Sequence, residues 1–379
     1  MTIETVLANA RVVTRTDCFL GSVVIRDGQI QAVDGGSNIP LGAEDFGGDY
    51  LLPGLIELHT DNVEKHLMPR PGVLWPSPLA AILAHDAQVA AAGITTVLDA
   101  IAIGEYTEDS HRRKMLPQVI GAIREGRTGK LFRADHLLHM RCELADRAVV
   151  EMFAPVAAEP LVKLVSLMDH TPGQRQWHDL EKFRSFHRDK KWTDADLHAE
   201  IERRRELQAA YAEPSRRAIL KLARDHSVTL ASHDDTTEDH IEEALADGIQ
   251  ISEFPTTMAA ARKAKQNGMT TIAGAPNVVR GGSHSGNVAA GELAAEGMLD
   301  ALSSDYVPTS LLHAAFCLAE MGMTVPDAIA IVSANPARMI GLDDRGEIAT
   351  GRRADLLRVR HHGDTPVVRR VWCEGMQVA

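Results

Sequence analysis

The sequence predicts an α/β protein, a (β/α)8 TIM-type barrel carrying a small discontinuous β-sandwich drawn from both termini. Three observations predict it. Eight short apolar runs recur through the middle of the chain, and each closes on polar residues. The stretches between them have helical patterning, as in LAAILAHDAQVAAAG, HIEEALADG and AAGELAAEGM. The two ends read instead as short strands separated by tight turns. Strands alternating with helices imply a parallel sheet with crossover connections, and eight is the strand number that closes a barrel.

The elements follow in order. VLANARVV, GSVVIRD and QIQAV are β-prone, the last two joined by Asp27-Gly28, a dipeptide suited to a hairpin turn. The barrel runs are LLPGLIELHTD, TTVLDAIAIG, LFRADHLLHMRCEL, LVKLVSLMDH, VTLASHDD, IQISEFP, TTIAGAPN and LDALSSDY. The segment from Pro172 to Pro214 is charged and carries Trp177, Phe183, Phe186 and Trp192, which predicts a helical excursion over the barrel mouth. ADLLRVR and VVRRVWCEG, punctuated by Gly363-Asp364 and Glu374-Gly375, return to the β pattern. The expected division is residues 1–50 and 346–379 in the sandwich and 51–345 in the barrel.

Composition narrows the function. Lys and Arg number 40 against 52 Asp and Glu, a formal net charge of −12, which argues against a nucleic-acid or anionic-membrane partner held by bulk charge. Cys18, Cys142, Cys317 and Cys373 are scattered with no CxxC pair, so neither a disulfide framework nor a thiolate zinc site is expected. The N-terminus lacks a basic region followed by an apolar one, and no apolar stretch reaches bilayer length, so a cytoplasmic, non-membrane protein is expected. Self-association is left open. The 17 histidines invite a metal reading.

Barrel enzymes place their chemistry at the C-terminal ends of the strands, so the polar tails are the candidates. Strict alternation of faces puts Glu57, His59 and Asp61 together on the first strand, with Ile56 and Leu58 turned toward the helices. On the third strand His139, Arg141 and Glu143 share a face opposite Leu138, Met140 and Cys142. His170 follows the fourth strand, while Lys163 falls on the other face near its start and is poorly placed to bridge metals as a carbamate. His233 closes the fifth run and Asp305 the eighth. His59, Asp61, Glu143, His170, His233 and Asp305 at one rim form an imidazole and carboxylate set, which suits one or two Zn²⁺, Mn²⁺ or Fe²⁺ ions rather than Ca²⁺. Glu143 is the inward carboxylate placed to bridge a pair of ions, and Asp305 could instead hold a proton. Any one of these residues could be an ordinary hydrogen-bonding group; several together at one rim would be costly to desolvate without cations, partners or water. His66, His85, His111, His187, His198, His361 and His362 read as ordinary histidines.

Cationic loops point to an anionic substrate. Lys65 and Arg70 follow the first strand, and Arg175 lies in DHTPGQRQW after the fourth. Arg280 opens the loop RGGSHSGN after the seventh, where Gly281, Gly282, Ser283 and His284 bring backbone and side-chain donors close to an anion. Barrels often bind phosphate near strands seven and eight. The loop lacks a GK[ST] ending, so an ordinary P-loop is not inferred. Arg141 joins this set from inside.

LLPGLIELHTD together with the closing GEIATGRRADLLRV resembles the amidohydrolase superfamily, whose members set a metal site in a (β/α)8 barrel beside a small β-sandwich. HTDNVEKHLMPRPGVLWP, LVSLMDHTPGQRQW, LASHDDTT, EFPTT, GAPNVVRGGSHSGNVAA and SSDYVPTSLL resemble, nearly end to end, its diphosphatase branch in the carbon–phosphorus lyase pathway. The resemblance implies hydrolysis of α-D-ribose 1-methylphosphonate 5-triphosphate to the 5-phosphate and diphosphate by a metal-activated water. The superfamily's HxH appears as His59-Thr60-Asp61, its carbamylated lysine has no counterpart, leaving Glu143 as the substitute, and its sixth-strand histidine is replaced by Glu253. On this reading His59, Asp61, Glu143, His170 and His233 hold two ions, His233 and Asp305 are catalytic, and Asp305 orients or deprotonates the water. The rival expectation is an amidohydrolase that cleaves a C–N bond of a cyclic amide or deaminates a base, for which the cationic loops would have no purpose.

Overall fold

The computed structural model describes residues 4–104, 111–283 and 285–379. β1 (Glu4–Val13), β2 (Cys18–Arg26), β3 (Gln29–Gly35), β4 (Glu44–Asp45) and β5 (Tyr50–Pro53) come from the N-terminal part. The barrel strands are β6 (Leu55–Thr60), β7 (Ile94–Ile103), β8 (Asp135–Glu143), β9 (Val162–Met168), β10 (Thr229–His233), β11 (Ile251–Glu253), β12 (Thr270–Gly274) and β13 (Ala301–Ser303). β14 (Leu356–His362), β15 (Thr365–Cys373) and β16 (Met376–Gln377) complete the chain.

The terminal strands form one hydrogen-bonded sheet in the order β16-β15-β14-β5-β1-β2-β3, with β4 beside β1. It curls around a cluster that both ends supply, including Leu7, Val23, Phe46, Leu51, Leu356 and Trp372. Gly54 is the only residue between β5 and β6. A Cβ there would overlap the Thr95 side chain, so glycine is required where the sheet passes into the barrel.

β6 to β13 pair in chain order, every pair parallel. A parallel bridge between Thr60 and Asp305 joins the first strand to the end of the last. Glu57 reinforces that seam: Ser303 Oγ donates to its Oε1 at 2.6 Å and the Ser304 amide to its Oε2 at 2.7 Å. The expected (β/α)8 barrel is therefore present. Helices Glu238–Ala246 and Met258–Gln266 begin on Thr237 and Thr257, whose hydroxyls accept from the amides of His240 and Ala260.

Below the rim the barrel is filled by Ile56, Leu58, Leu98, Leu137, Leu164, Ala231, Ile251, Ile272 and Ala301, a cluster drawn from all eight strands. This corrects the alternation expected for the first strand, which sent Ile56 and Leu58 to the helices. The β6–β7 register slips between Glu57 and Thr60, Leu58 and His59 together facing the single Leu98, and this bulge turns His59 inward after Leu58. On β8 the alternation holds: Leu138, Met140 and Cys142 join the outer core. The excursion after β9 contains helices Leu180–Phe186 and Asp194–Asp225. The second starts on a Thr193/Asp196 capping box and runs through Pro214 to Asp225, beyond the segment expected to form the excursion. Among the described residues no helix is long and apolar enough to cross a membrane.

Candidate active site and metal centre

A cavity of about 240 Å³ opens at the C-terminal ends of the barrel strands. Of the sequence candidates, His59, Arg141, His170, His233, Arg280, Gly282, Ser283 and Asp305 line it. Gln176, Asp234, Phe254, Asn287 and Tyr306 contribute as well.

Glu253 organises one side. His59 Nδ1 donates to Glu253 Oε1 at 2.8 Å, and Ser166 Oγ donates to Oε2 at 2.6 Å. His139 donates from Nδ1 to the Leu58 carbonyl at 2.9 Å, and its Nε2 faces the Ser166 hydroxyl, whose single proton lies between this nitrogen and Glu253. Burial alone would raise the Glu253 pKa, but the imidazoles of His59 and His139 outweigh it and hold the carboxyl well below the usual range. Burial drives His139 down to about 3, so its ring is neutral.

Asp234 and Glu143 organise the other side. His170 Nδ1 meets Glu143 Oε2 at 2.6 Å, and the His170 amide donates to Glu143 Oε1 at 3.1 Å. Asp234 Oδ2 lies 3.6 Å from His170 Nε2 and 2.9 Å from His233 Nδ1. Burial works against charge on His170, but Glu143 and Asp234 lift its pKa to about 9. Burial would raise Asp234, yet His233 and His170 hold it far below the usual range. The two sides meet where His233 Nε2 comes within 3.7 Å of Glu253 Oε2. Asp305 sits across the cavity at φ 54°, its amide donating to the His59 carbonyl at 3.1 Å, and burial raises its pKa.

His59, His139 and Glu253 present donor atoms within 4.8 Å of one another, and so do His170, His233 and Asp234. His233 supplies the test of fit. It is buried, and neither ring nitrogen has a hydrogen bond, although carboxylates lie close to both. Imidazole lone pairs buried among anionic oxygens suit a divalent cation.

Other candidates lie elsewhere. Asp61 is outside the cavity lining, paired with Lys65 at 2.9 Å, and Lys65 Nζ also rests 5.6 Å from the centre of the Tyr306 ring. Arg70 is exposed and forms an isolated bridge with Val73. Gly281 is exposed at φ 73° beside the lining residues. His284 falls outside the described residues. Arg175 is buried rather than at the mouth: its guanidinium donates to the His233 carbonyl at 2.9 Å and to Asp235 Oδ1 at 2.7 Å, so it is not a free cation for an anion. Lys163 lines a separate depression with His226 and Thr229.

His139, Glu253 and Asp234 are the residues the sequence reading left out of the ligand set. His139 carried a signal, sharing the inward face with Arg141 and Glu143. Glu253 stood where the superfamily has histidine. Asp234 carried none, because alternation after His233 sends it outward and only its left-handed backbone, φ 56°, turns it back.

A nearly closed parallel barrel with imidazoles and carboxylates converging at its C-terminal rim has the architecture of a barrel hydrolase with candidate metal sites. The chain belongs to the amidohydrolase family, whose sequence profile matches residues 50–378. It is 44% identical over 379 residues to an alpha-D-ribose 1-methylphosphonate 5-triphosphate diphosphatase from Escherichia coli, an alignment spanning 98% of this chain and 100% of the relative. Among solved structures, N-acetylglucosamine-6-phosphate deacetylase from Pasteurella multocida superposes with a TM-score of 0.65 at 13% identity, covering 99% of each chain. A 5-methylcytosine deaminase from Klebsiella pneumoniae gives 0.65 at 14%, covering 100% of this chain and 97% of its own. Dihydropyrimidinase from Brevibacillus agri gives 0.63 at 14%, covering 99% and 95%. At these identities the likeness is one of fold.

Proposed function

We propose that this chain hydrolyses α-D-ribose 1-methylphosphonate 5-triphosphate between the α- and β-phosphates, releasing diphosphate and the ribosyl 5-phosphate. The observation that carries the reading is a single cavity lined by His170, His233 and Asp234, by His59 of the second imidazole–carboxylate group, and by Arg141 and Arg280. The full-length relative acting on this substrate supports it.

His59, Glu253, His170, His233 and Asp234 are the side chains that would hold one or two zinc, manganese or iron ions, with Glu143 behind His170 and His139 behind Glu253. Bound divalent cations lower the pKa of water and neutralise phosphate charge. Asp305, raised by burial, takes the proton as the water oxygen attacks the α-phosphorus. Arg141 faces the same space with its Nε unpartnered, and Arg280 with the Gly282 and Ser283 segment borders it, so these groups hold charge on the departing diphosphate. A neutral cyclic amide or base would use neither arginine, which separates this reading from C–N bond hydrolysis.

Phosphorus NMR of the products, run in ¹⁸O-water with metal analysis of the same sample, tests the proposal. Diphosphate should appear with the label on the ribosyl 5-phosphate. Label in diphosphate would place attack at the β-phosphorus, and ammonia release from cyclic amides or bases without triphosphate turnover would favour the rival.

A further inference from the structure

We infer that Arg175 is a positioning residue that fixes the His233–Asp234 turn for cation binding, and that it does not contact the anionic substrate. The inference rests on the metal-centre reading above but not on the identity of the substrate. Arg175 reaches the turn from outside the barrel sheet, in the loop after β9, and is itself buried in a left-handed conformation with φ 41°. Nη1 donates both to the His233 carbonyl, at 2.9 Å, and to Asp235 Oδ1, at 2.7 Å. Nη2 donates to Glu243 Oε2 at 3.3 Å. The first two acceptors flank Asp234, the residue whose carboxylate approaches both His233 and His170.

The rest of the turn is held in the same way. Asp235 Oδ2 accepts from the hydroxyls of Ser232 and Ser252, the second at 2.7 Å, so Asp235 is anchored to β10 and β11 independently of Arg175. The Asp234 amide donates to the Glu253 carbonyl at 2.9 Å, and the Thr256 amide to the Asp235 carbonyl at 2.8 Å. A non-glycine residue at φ 56° persists only where its surroundings over-determine it. Without the guanidinium, the His233 carbonyl loses this side-chain donor and buried Asp235 loses its counter-charge. The turn is then free to relax toward ordinary extended backbone, which carries the Asp234 carboxylate away from the two imidazoles. Gln176, the next residue, lines the cavity, so the same clamp joins a substrate-facing loop to the ligand turn.

The test uses full-length protein stripped of metal and titrated with Co²⁺ alone, followed by the visible absorption of the bound ion. Arg175→Gln should loosen cobalt binding about ten- to a hundred-fold, the range for residues that orient ligands from behind. Its inhibition constant for inorganic diphosphate, measured at saturating Co²⁺, should stay within about twofold of wild type. Asp235→Asn keeps the shape and the bond to the His233 carbonyl and should loosen cobalt by an intermediate factor; it decides the matter if Arg175→Gln does not fold. Unchanged cobalt affinity in a folded variant overturns the inference, and a tenfold weaker diphosphate interaction with cobalt unaffected would return Arg175 to the substrate. Because the titration needs no ribosyl substrate, a wrong substrate assignment leaves its result standing.

Discussion

The His59 imidazole donates from Nδ1 to a Glu253 carboxylate oxygen 2.8 Å away at the floor of the cavity, with both side chains buried. The bond fixes the tautomer of His59, leaving Nε2 with its lone pair for the cavity, and links it through Ser166 to His139. Glu253→Gln retains the shape but loses the charge that balances the imidazoles. Its affinity for divalent cations should fall by about ten- to a hundred-fold. Chelator competition measures this directly, and unaltered affinity would show that Glu253 only packs.

Asp305 faces the metal groups across the cavity without belonging to either. Asp305→Asn should therefore lower turnover by about 10²–10⁴, the usual contribution of a positioned proton acceptor, while metal content stays near wild type. Elemental analysis alongside diphosphate release separates the two effects. Loss of metal with the activity would make Asp305 a ligand, and retained turnover would remove it from the chemistry.

Why some of this was readable from sequence and some was not comes down to local backbone geometry. The eight barrel strands announce themselves because buried parallel strands are apolar runs, and their polar ends mark the rim. His59, His170 and His233 could be gathered on that basis. The faces on β6 could not, because alternation assumes a regular ladder and the bulge before Thr60 inserts a residue. Asp234 escaped for a related reason: its left-handed turn is held by Arg175 and by the Glu253 carbonyl, both distant in sequence, and by an Asp235 carboxylate that is itself anchored to Ser252 on another strand. The cations divide the same way. Charge alone cannot tell Arg175, consumed by Asp235, from Arg141, whose Nε is unpartnered.

That division makes a prediction about anion binding. Arg141→Met should reduce kcat/KM by about 10–150-fold, the equivalent of one lost hydrogen bond to a charged group at ~1.5–3 kcal/mol. Arg70→Ala, at an exposed loop outside the cavity, should change it by less than about twofold. Steady-state kinetics on the same triphosphate compares them, and the reverse ranking would place the substrate at the outer loop.

A last prediction concerns stability away from the site. Asp99 on β7 joins two buried histidines, His85 Nε2 at 2.9 Å and His136 Nδ1 at 2.8 Å, while His136 Nε2 faces Asp86 at 3.4 Å. Burial would discharge His136, but Asp99 and Asp86 raise its pKa to about 9; burial would likewise raise Asp99, but His136 holds it at about 2. With Arg133 on Asp86, two carboxylates meet two cations and the cluster is neutral without a metal. The raised histidine stabilises the fold fully below its unfolded pKa of about 6.5, and that contribution fades as pH climbs toward 9. The depressed aspartate contributes above about 3.9 and its share is lost as pH falls toward 2. The pair is therefore strongest between about pH 4 and 6.5. His136→Gln should lower unfolding stability by about 3–5 kcal/mol near pH 5.5, since it strands a buried charge, and by progressively less as pH approaches 9. Urea unfolding at pH 5.5, 7.5 and 9 follows the difference between the two proteins; a gap that instead widens as pH rises through about 6.5 would mean His136 is neutral in the folded state.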